Sequence, residues 1–166
     1  MDWGCGVGKL LSDVYSTYKC KCIGINISEK QIRLARTLYG NGDISFLLTD
    51  GESANLHANS VDAVVSQEAL THSPDKLTIF EEFYRILTNN GRLIFQDWFE
   101  VDPILSIKAD KLYRANVKPS QHYINVLRDV GFSDVQIHRP LDEVPRTGRV
   151  HGGIESLVMS CKKQTS

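Results

Sequence analysis

The sequence lacks the charge imbalance and the long apolar runs that mark several classes of protein. Lysine and arginine number 19 and aspartate and glutamate 20, so the formal net charge is -1, and no basic run indicates a nucleic-acid surface. Lys162 and Lys163 are interpreted as a solvated end. No apolar run approaches the roughly 20 residues that span a bilayer, and the start lacks the charged and apolar regions of a signal peptide. We therefore expect a cytoplasmic protein that binds neither nucleic acid nor membrane.

Cysteine is scarce as well. The chain has four cysteines, at Cys5, Cys20, Cys22 and Cys161. Their spacing matches neither a zinc site nor a Cys-x-x-Cys redox motif, so we predict no metal site and no disulfide framework. Cys20 and Cys22 alternate as same-face residues of a strand do, and we interpret both as small buried side chains. With 166 residues and 42% hydrophobic content, one packed domain over residues 1–166 is expected.

A glycine-rich stretch near the start is the most informative local pattern. Asp2-Trp3-Gly4-Cys5-Gly6-Val7-Gly8 runs into an apolar-periodic segment, which is the order of a strand end, a tight loop and a helix N-terminus. Glycine lets a ligand approach the backbone, and the helix behind presents free amides and the positive end of its dipole. Alone, the stretch predicts equally a nucleotide-like cofactor or a plain turn.

Helical and strand patterns alternate along the rest of the chain. Expected helices cover about residues 8–18, 28–40, 73–88 and 120–130, and expected strands about 20–27, 44–49, 61–66, 92–97, 135–138 and 154–161. Ser28 with Gln31 forms a capping-box pattern, and Pro74 is placed at the first position of its helix. The alternation predicts an α/β fold, a Rossmann-like doubly wound sheet that is mostly parallel, with a shortened first strand and an antiparallel last strand.

Ligands of such sheets bind at the carboxyl ends of the strands, near the point where strand order reverses. The loops expected at this edge follow Asp2, Ile25, Thr49, Ser66 and Phe95. A dinucleotide site would need a third glycine and an acid at the end of the second strand. Lys9 stands where that glycine belongs and the strand ends at Asn26, so the pattern disfavours a dehydrogenase.

A set of motifs in a fixed order resembles the class I S-adenosylmethionine-dependent methyltransferases over about residues 2–97. The motifs are Asp2-x-Gly4-x-Gly6-x-Gly8, Gly24-Ile25-Asn26-Ile27-Ser28, Thr49-Asp50-Gly51, Ser66-Gln67-Glu68-Ala69-Leu70-Thr71-His72-Ser73-Pro74-Asp75, Arg85-Ile86-Leu87 and Gly91-Arg92-Leu93-Ile94-Phe95-Gln96-Asp97. Within the family, the segment that contains His72 looks most like the sarcosine and dimethylglycine N-methyltransferases. Sugar O-methyltransferases of natural-product pathways are similar as well.

The resemblance implies S-adenosylmethionine as the cofactor, with S-adenosylhomocysteine as its product, and a set of residues that hold it. Asp2 would anchor the ammonium group directly or through water, Asn26 would face the ribose, and Asp50 the adenine. The full implied set is Asp2, Gly4, Cys5, Gly6, Asn26, Ile27, Gln31, Asp50, Gly51, Glu52, Ser66 and Gln67. Asn26 stands where an acid is commonest in the wider family, so the charge-assisted part of that hydrogen bond is lost and affinity is expected to be lower.

Methyl transfer from a sulfonium is an in-line displacement, so the protein must mainly align the acceptor and exclude water. His72 follows one expected strand and Asp97 ends another, and they are the candidate catalytic residues, with His72 first because its ordinary pKa lies near operating pH. Alternatively, His72 orients the helix start that follows it, and Asp97 accepts hydrogen bonds from loop amides. Glu68 is either a substrate contact or a solvated loop acid.

The expected partner is a small-molecule methyl acceptor, with an amine nitrogen of the glycine, sarcosine or dimethylglycine kind favoured and a hydroxyl oxygen as the alternative. A homodimer is compatible with this reading. Family members carry an apolar strand start and a covering helix before the first motif, where this chain has only Met1. We therefore expect an N-terminally truncated domain with a short lid segment at residues 100–119. The alternative of a different class is a catalytically impaired binding or assembly module, or a fragment.

Overall fold

One seven-stranded sheet organises the chain. The computed structural model describes residues 1–51, 54–138 and 154–164. The strands are β1 Asp2–Trp3, β2 Cys22–Asn26, β3 Ile44–Leu48, β4 Val61–Gln67, β5 Leu87–Glu100, β6 Phe132–His138 and β7 Ile154–Lys163. The helices are α1 Lys9–Tyr18, α2 Glu29–Tyr39, α3 Lys76–Ile86, α4 Pro103–Tyr113 and α5 Ser120–Val130, and a 3₁₀ turn covers Leu70–His72. No helix in the described ranges is long and apolar enough to cross a membrane.

The strand order is β3-β2-β1-β4-β5-β7-β6. β1 to β5 run parallel, and β7 pairs antiparallel with both β5 and β6. This confirms the predicted Rossmann-like α/β fold and its antiparallel last strand. The chain order reverses between β1 and β4, and such a reversal leaves a crevice beyond the carboxyl ends of the two strands.

Helices cover both faces of the sheet, as the alternating pattern predicts. Side chains alternate along β2, so Ile23 and Ile25 pack in one buried cluster and Cys22 in another. The first cluster joins the sheet to α3 and α5 through fully buried rings, among them Phe80 and Tyr123. The second joins it to α1 and α2.

Two expectations about helix starts have different outcomes. Ser28 caps α2, and its Oγ accepts a hydrogen bond from the Gln31 amide at 3.4 Å, as predicted. The prediction that Pro74 occupies the first position of α3 is wrong. Asp75 caps this helix, since its Oδ1 accepts from the amides of Leu77 and Thr78 at 3.0 and 3.2 Å. The start of α3 is determined by the Asp75 carboxylate, because it binds two amides that have no partner within the helix. Pro74 lies before this cap.

β5 is longer than the predicted strand at 92–97. It begins at Leu87 directly after α3 and continues through residues 89–91, which lie between the predicted helix and the predicted strand, with an irregular register between Val61 and Ala63 of β4. At its other end it reaches Glu100 because β7 pairs with it as far as that residue. The extension comes from pairing between segments far apart in sequence, which local polarity does not report. Helix α4 within residues 100–119 is an element that the sequence patterns missed.

The interpretation of Cys20 as a buried strand residue is wrong. Cys20 is exposed and lies before β2, whereas Cys22 is buried within the strand. The interpretation of Lys163 as part of a solvated end is also wrong. Lys163 lies in β7 and is only 8% exposed. The polar segment of residues 141–153, which is predicted to connect the last two strands, falls outside the described residues.

Lys163 anchors β7 to the end of α3. Its Nζ donates to Asn59 Oδ1 and to the carbonyls of Tyr84 and Leu87, each at 2.8 Å, and lies 4.8 Å from the centre of the Tyr84 ring. The last carbonyls of a helix have no partner within the helix, and here a lysine from a neighbouring strand donates to one of them. Lys162 next to it points to solvent, 3.5 Å from Asp134.

We predict that Lys163→Met destabilises the fold and that Lys162→Met does not. Methionine keeps the apolar stem but leaves three acceptors without their donor, which costs about 1–3 kcal/mol. An exposed ion pair is worth less than about 1 kcal/mol, so Lys162→Met serves as the matched control. The free energy of unfolding, measured in urea, distinguishes them. Equal values for the two variants would contradict the anchoring role of Lys163.

Candidate functional site

A cavity of about 590 Å³ opens at the carboxyl edge of the sheet, where the strand order reverses. This is the edge at which the sequence patterns predict a ligand site. The cavity is lined by Trp3, Gly4, Gly6, Ile25, Asn26, Ile27, Ser28, Gln31, Thr49, Asp50, Glu68, Ala69, His72, Ser73, Pro74 and Ile79. Its volume lies within the range of small-molecule and cofactor sites.

The glycine loop forms one wall of the cavity. The amides of Gly4 and Cys5 both donate to the Ile25 carbonyl, at 3.0 and 2.9 Å, which ties the loop to the end of β2. Gly4 has φ +76°, and a Cβ there would lie 2.3 Å from the Cβ of Ala69. A Cβ on Gly6 would meet nothing within 4 Å. Gly4 is therefore required for close packing of two loops, and Gly6 leaves the cavity wall open.

Two amide side chains define the wall between the glycine loop and α2. Asn26 Nδ2 donates to Gln31 Oε1 at 2.8 Å and lies 3.5 Å from the Gly6 carbonyl oxygen, and Asn26 Oδ1 accepts from the Ser28 amide at 3.3 Å. The capping-box glutamine thus bonds to Asn26 rather than back to the Ser28 amide. Asn26 is held in one orientation beside the cavity, where such amides can hydrogen-bond hydroxyl groups.

The segment after β4 brings an acid and an imidazole to the cavity. Glu68 has φ +51°, a left-handed conformation that is uncommon for a residue other than glycine, and its amide donates to the Gln96 carbonyl at 2.9 Å. His72 ends the 3₁₀ turn, and its Nδ1 lies 3.4 Å from the Arg114 carbonyl oxygen. A carboxylate and a titratable ring on one wall can together bind a cation and accept a proton.

Asp97 does not line the cavity. Its side chain is fully buried, and its oxygens accept from the amides of Thr71 and Trp98 at 2.9 and 2.8 Å. Burial raises the pKa of this carboxyl to about 6, although the two amides oppose the shift. The structure thus shows the hydrogen bonds to loop amides that the sequence analysis gave as the alternative to a catalytic role.

Asp2 is also buried, 2% exposed, and burial raises its pKa to about 7. Cys5 is 7% exposed and packs in the core cluster with Leu11, and burial raises the pKa of its thiol to about 12. Neither residue lines the cavity. Asp2 lies in β1 and Cys5 in the glycine loop that follows it, and the residues next to them, Trp3, Gly4 and Gly6, do line it.

The other predicted cofactor residues divide into two groups. Those that line the cavity are Gly4, Gly6, Asn26, Ile27, Gln31 and Asp50. Those in neighbouring positions that do not line it are Gly51, Ser66 and Gln67. Glu52 lies outside the described residues. Of the two candidate catalytic residues, His72 reaches the cavity and Asp97 supports the turn that carries it.

Trp3 is the cavity residue that sequence reasoning most clearly missed. It is 8% exposed, packs edge-on against Phe83 with ring centres 5.9 Å apart, and contacts Gly51, where a Cβ would lie 2.1 Å from Trp3 Nε1. Thr49, Ser73, Pro74 and Ile79 were missed as well. Thr49 ends an expected strand, which was an available signal, whereas Ile79 lies within α3 and gave none. Among the described residues, no group of three His, Cys, Asp or Glu side chains could hold a metal ion.

Comparison with known families gives one match, to the methyltransferase domain family over residues 1–95. Among curated relatives, a sarcosine/dimethylglycine N-methyltransferase from Halorhodospira halochloris is 26% identical over 90% of this chain and 57% of its own length. An O-methyltransferase from Penicillium expansum is 27% identical over 82% of this chain and 52% of its own length. This chain therefore spans little more than half the length of these relatives.

Solved structures share the fold at low sequence identity. Phosphoethanolamine N-methyltransferase 2 from Haemonchus contortus, in complex with S-adenosyl-L-methionine, has a TM-score of 0.85 at 13% identity over 99% of this chain and 48% of its own. Geranyl diphosphate C-methyltransferase from Streptomyces coelicolor, in complex with S-adenosyl-L-homocysteine, has a TM-score of 0.83 at 14% identity over 98% of this chain and 69% of its own. Both belong to the class I methyltransferase fold.

The burial of Asp2 predicts a pH dependence of stability. The pKa of this carboxyl rises from 3.8 to about 7 on folding, so between these values the folded state holds the proton more tightly than the unfolded state does. Stability contributed by the protonated form is therefore lost as pH rises through this window. Asp97 contributes in the same direction up to about pH 6.

We expect Asp2→Asn to flatten the decline in unfolding free energy between about pH 4 and pH 7, because one of the two buried carboxyls with a raised pKa no longer titrates. Denaturant titrations at several pH values measure this slope. Asp129→Asn, at an exposed position on α5, is the control and should keep the wild-type slope. A slope that is the same in all three proteins would show that Asp2 does not titrate in this window.

Proposed function

This chain belongs to the methyltransferase domain family, and from this premise we propose that it transfers the methyl group of S-adenosylmethionine to an amine nitrogen of a small molecule. The observation that carries the proposal is the division of the cavity into two kinds of wall. Asn26, Gln31 and Asp50 lie on the wall that joins β2 and β3. Glu68 and His72 lie on the wall that follows β4.

The residues on the first wall fit S-adenosylmethionine. The open space at Gly6 admits a ligand against the loop backbone, and the side chains of Asn26 and Gln31 offer hydrogen-bonding groups for ribose hydroxyls. Ile27 lines the cavity although it is 74% exposed, so it offers an apolar surface to the adenine. The carboxylate of Asp50, which also lines the cavity, accepts a hydrogen bond from the exocyclic amine of that base.

Asp2 contributes charge from β1, next to the glycine loop. Its carboxyl has a pKa near neutrality, raised by burial and opposed by the Met1 amino group, and a further ammonium group within a few ångströms favours the ionised form. We propose that the ammonium group of the cofactor has this effect, directly or through water. Gly51, Cys5, Ser66 and Gln67 complete the proposed contacts through their positions next to the lining residues.

When bound, S-adenosylmethionine supplies an electrophilic methyl group that a lone pair on the acceptor attacks in line. The protein's part is to hold the acceptor in that line and to manage its proton. Glu68 binds the amine in its protonated form through a charge-assisted hydrogen bond. His72 then accepts the proton, which frees the lone pair for attack. This pairing of carboxylate and imidazole favours an amine over a hydroxyl, which carries no positive charge.

Two alternatives lead to different results. A hydroxyl acceptor would need His72 as general base and would make little use of Glu68. An impaired binding or assembly module would bind the cofactor without turnover. The curated relatives include N-, O- and C-methyltransferases, so their names support methyl transfer and leave the acceptor atom to the site itself. A single domain over residues 1–166, a cytoplasmic location and a homodimer stay predictions from the sequence.

Calorimetric titration and labelled methyl transfer test the proposal in two steps. S-adenosylmethionine and S-adenosylhomocysteine should bind saturably and NAD should not; binding of NAD alone would overturn the family-based assignment of the site. Glycine, sarcosine and dimethylglycine are then compared with hydroxylated acceptors of similar size. Transfer to hydroxyls but not amines would reject the amine proposal, and binding without transfer to any acceptor would favour the module.

His72→Ala should lower kcat by about 10²-fold while the Kd for S-adenosylmethionine changes less than about twofold, because the general base acts on the acceptor. Glu68→Gln should mainly raise KM for the amine, since it removes the charge that binds it. His122→Ala is the matched control, at an exposed position on α5. Unchanged turnover in His72→Ala would remove this histidine from the mechanism.

A further inference from the structure

The turn that carries His72 is held by three separate elements. Leu70–His72 and the following Ser73 are called the His72 turn here. Its backbone contacts a carboxylate at the end of β5, a lysine in the first turn of α3, and the segment of residues 114–116 that follows α4. A 3₁₀ turn of three residues has little stability of its own, so these contacts determine where the imidazole lies.

Two of the three holding groups are buried charged side chains. Asp97 accepts from the Thr71 amide, as described above. Lys76 is 3% exposed, and its Nζ donates to the carbonyls of Leu70 and Ser73. Together they hold the backbone on both sides of His72. Neither touches the imidazole itself.

The segment 114–116 contacts both the turn and the imidazole. The Asn116 amide donates to the Thr71 carbonyl at 2.7 Å, and Asn116 Nδ2 donates to the carbonyls of Ser73 and Pro74 at 3.3 and 3.1 Å. The Arg114 carbonyl oxygen lies 3.4 Å from Nδ1 of His72. This segment therefore contacts the imidazole ring directly.

A carbonyl oxygen only accepts hydrogen bonds. The hydrogen bond between the Arg114 carbonyl oxygen and Nδ1 of His72 therefore forms only when Nδ1 carries a proton. In a neutral imidazole the other nitrogen, Nε2, is then unprotonated and can act as a base. With the opposite tautomer, Nδ1 would face the carbonyl lone pairs without a proton and Nε2 could not accept one. A carbonyl at this position therefore favours the tautomer in which Nε2 is the basic nitrogen.

We propose that the backbone carbonyl of Arg114 selects the tautomer of His72 and makes residues 114–116 the positioning segment of the reaction. This deepens the proposed function, because it assigns Nε2 as the nitrogen that takes the acceptor's proton. Arg114 acts through His72 and needs no contact with substrate. Its guanidinium plays no part in this role.

The carbonyl is fixed from its other side by contacts that do not involve the His72 turn. Arg114 has φ +52°, a left-handed conformation that ends the helical path directly after α4. The Ala115 amide donates to the Asp110 carbonyl and the Val117 amide to Asp110 Oδ1, both at 3.0 Å. Val117 is 1% exposed and packs with Trp98, the residue that follows Asp97. The ring nitrogen therefore meets an anchored acceptor.

Two substitutions at one position separate the backbone from the side chain. Arg114→Gly and Arg114→Val both remove the guanidinium, but glycine accepts a positive φ and a β-branched residue does not. The readout is the tautomer of His72, from long-range ¹H–¹⁵N correlation spectra near about pH 8.5, where imidazoles are ordinarily neutral. The His72 signals are identified among the five histidines by their loss in His72→Gln.

We expect proton occupancy at Nδ1 in the wild type and in Arg114→Gly, and a shift towards Nε2 in Arg114→Val. Asn116→Ala, which removes two donors from the segment, should shift it in the same direction. In the labelled methyl assay, Arg114→Val should lower kcat about tenfold with KM for S-adenosylmethionine unchanged. Gln121→Ala, on the exposed face of α5, is the activity control.

A wild-type imidazole protonated at Nε2 would overturn the proposal, and so would equal spectra for Arg114→Val and the wild type. Equal shifts in the glycine and valine variants would assign the effect to the guanidinium and reject the carbonyl. Because the spectra need no turnover, they separate this proposal from the proposed function. The chain could lack transferase activity and still have a His72 that is protonated at Nδ1 and shifts towards Nε2 in Arg114→Val. That result would support tautomer selection by the Arg114 carbonyl and reject the proposed function.

Discussion

The cavity depends on the pairing of β1 with both of its neighbours. This strand has two residues, Asp2 and Trp3, which pair with Gly24 and Ile25 of β2 on one side and with β4 on the other. Because the strands are parallel, the pairing brings the glycine loop, the start of α2 and the segment after β4 to one edge. The further hydrogen bonds from the loop to the Ile25 carbonyl extend the ladder past the end of the strand.

Close packing and buried charge hold the walls that this pairing brings together. Gly4 and Ala69 approach so closely that no side chain fits between the two loops. Behind them, Asp97 and Lys76 are buried where backbone groups satisfy them, one bound by amides and the other by carbonyls. Charged groups in such positions are costly unless they are paired, and here both bind the backbone of the turn that carries His72.

The parts of the fold that local chemistry controls were predictable from the sequence. The cap at Ser28 and the range of α5 follow the predictions, and the strands lie where the apolar runs indicate them. The structure differs from the predictions where a segment distant in sequence pairs or packs with the element. β5 extends because β7 pairs with it, and Lys163 is buried because the end of α3 lies beside it.

The cavity shows the same division. Glycines and polar residues at strand ends pointed to the correct edge of the sheet, and His72 and Asn26 line the cavity. The sequence did not identify Trp3 as a cavity residue, because an apolar residue in a strand normally indicates core packing. Nothing in the neighbouring sequence shows that the residues around it leave space beside it. For Asp97 the sequence supports equally a catalytic role and hydrogen bonds to loop amides. Only the structure shows that its carboxylate accepts from the amides of Thr71 and Trp98.

By itself, the sequence determined the alternation of strands and helices, the order of motifs and the edge of the sheet at which the cavity opens, since these follow from periodicity, capping and the rule for parallel sheets. Only the tertiary structure decided which candidate side chains reach the cavity and which support it. It also decided which atom faces each of them, as the Arg114 carbonyl faces His72 across 42 positions of sequence. The physical reason is that local patterns encode the preferences of neighbouring residues, whereas hydrogen bonds between distant loops depend on how the sheet brings them together.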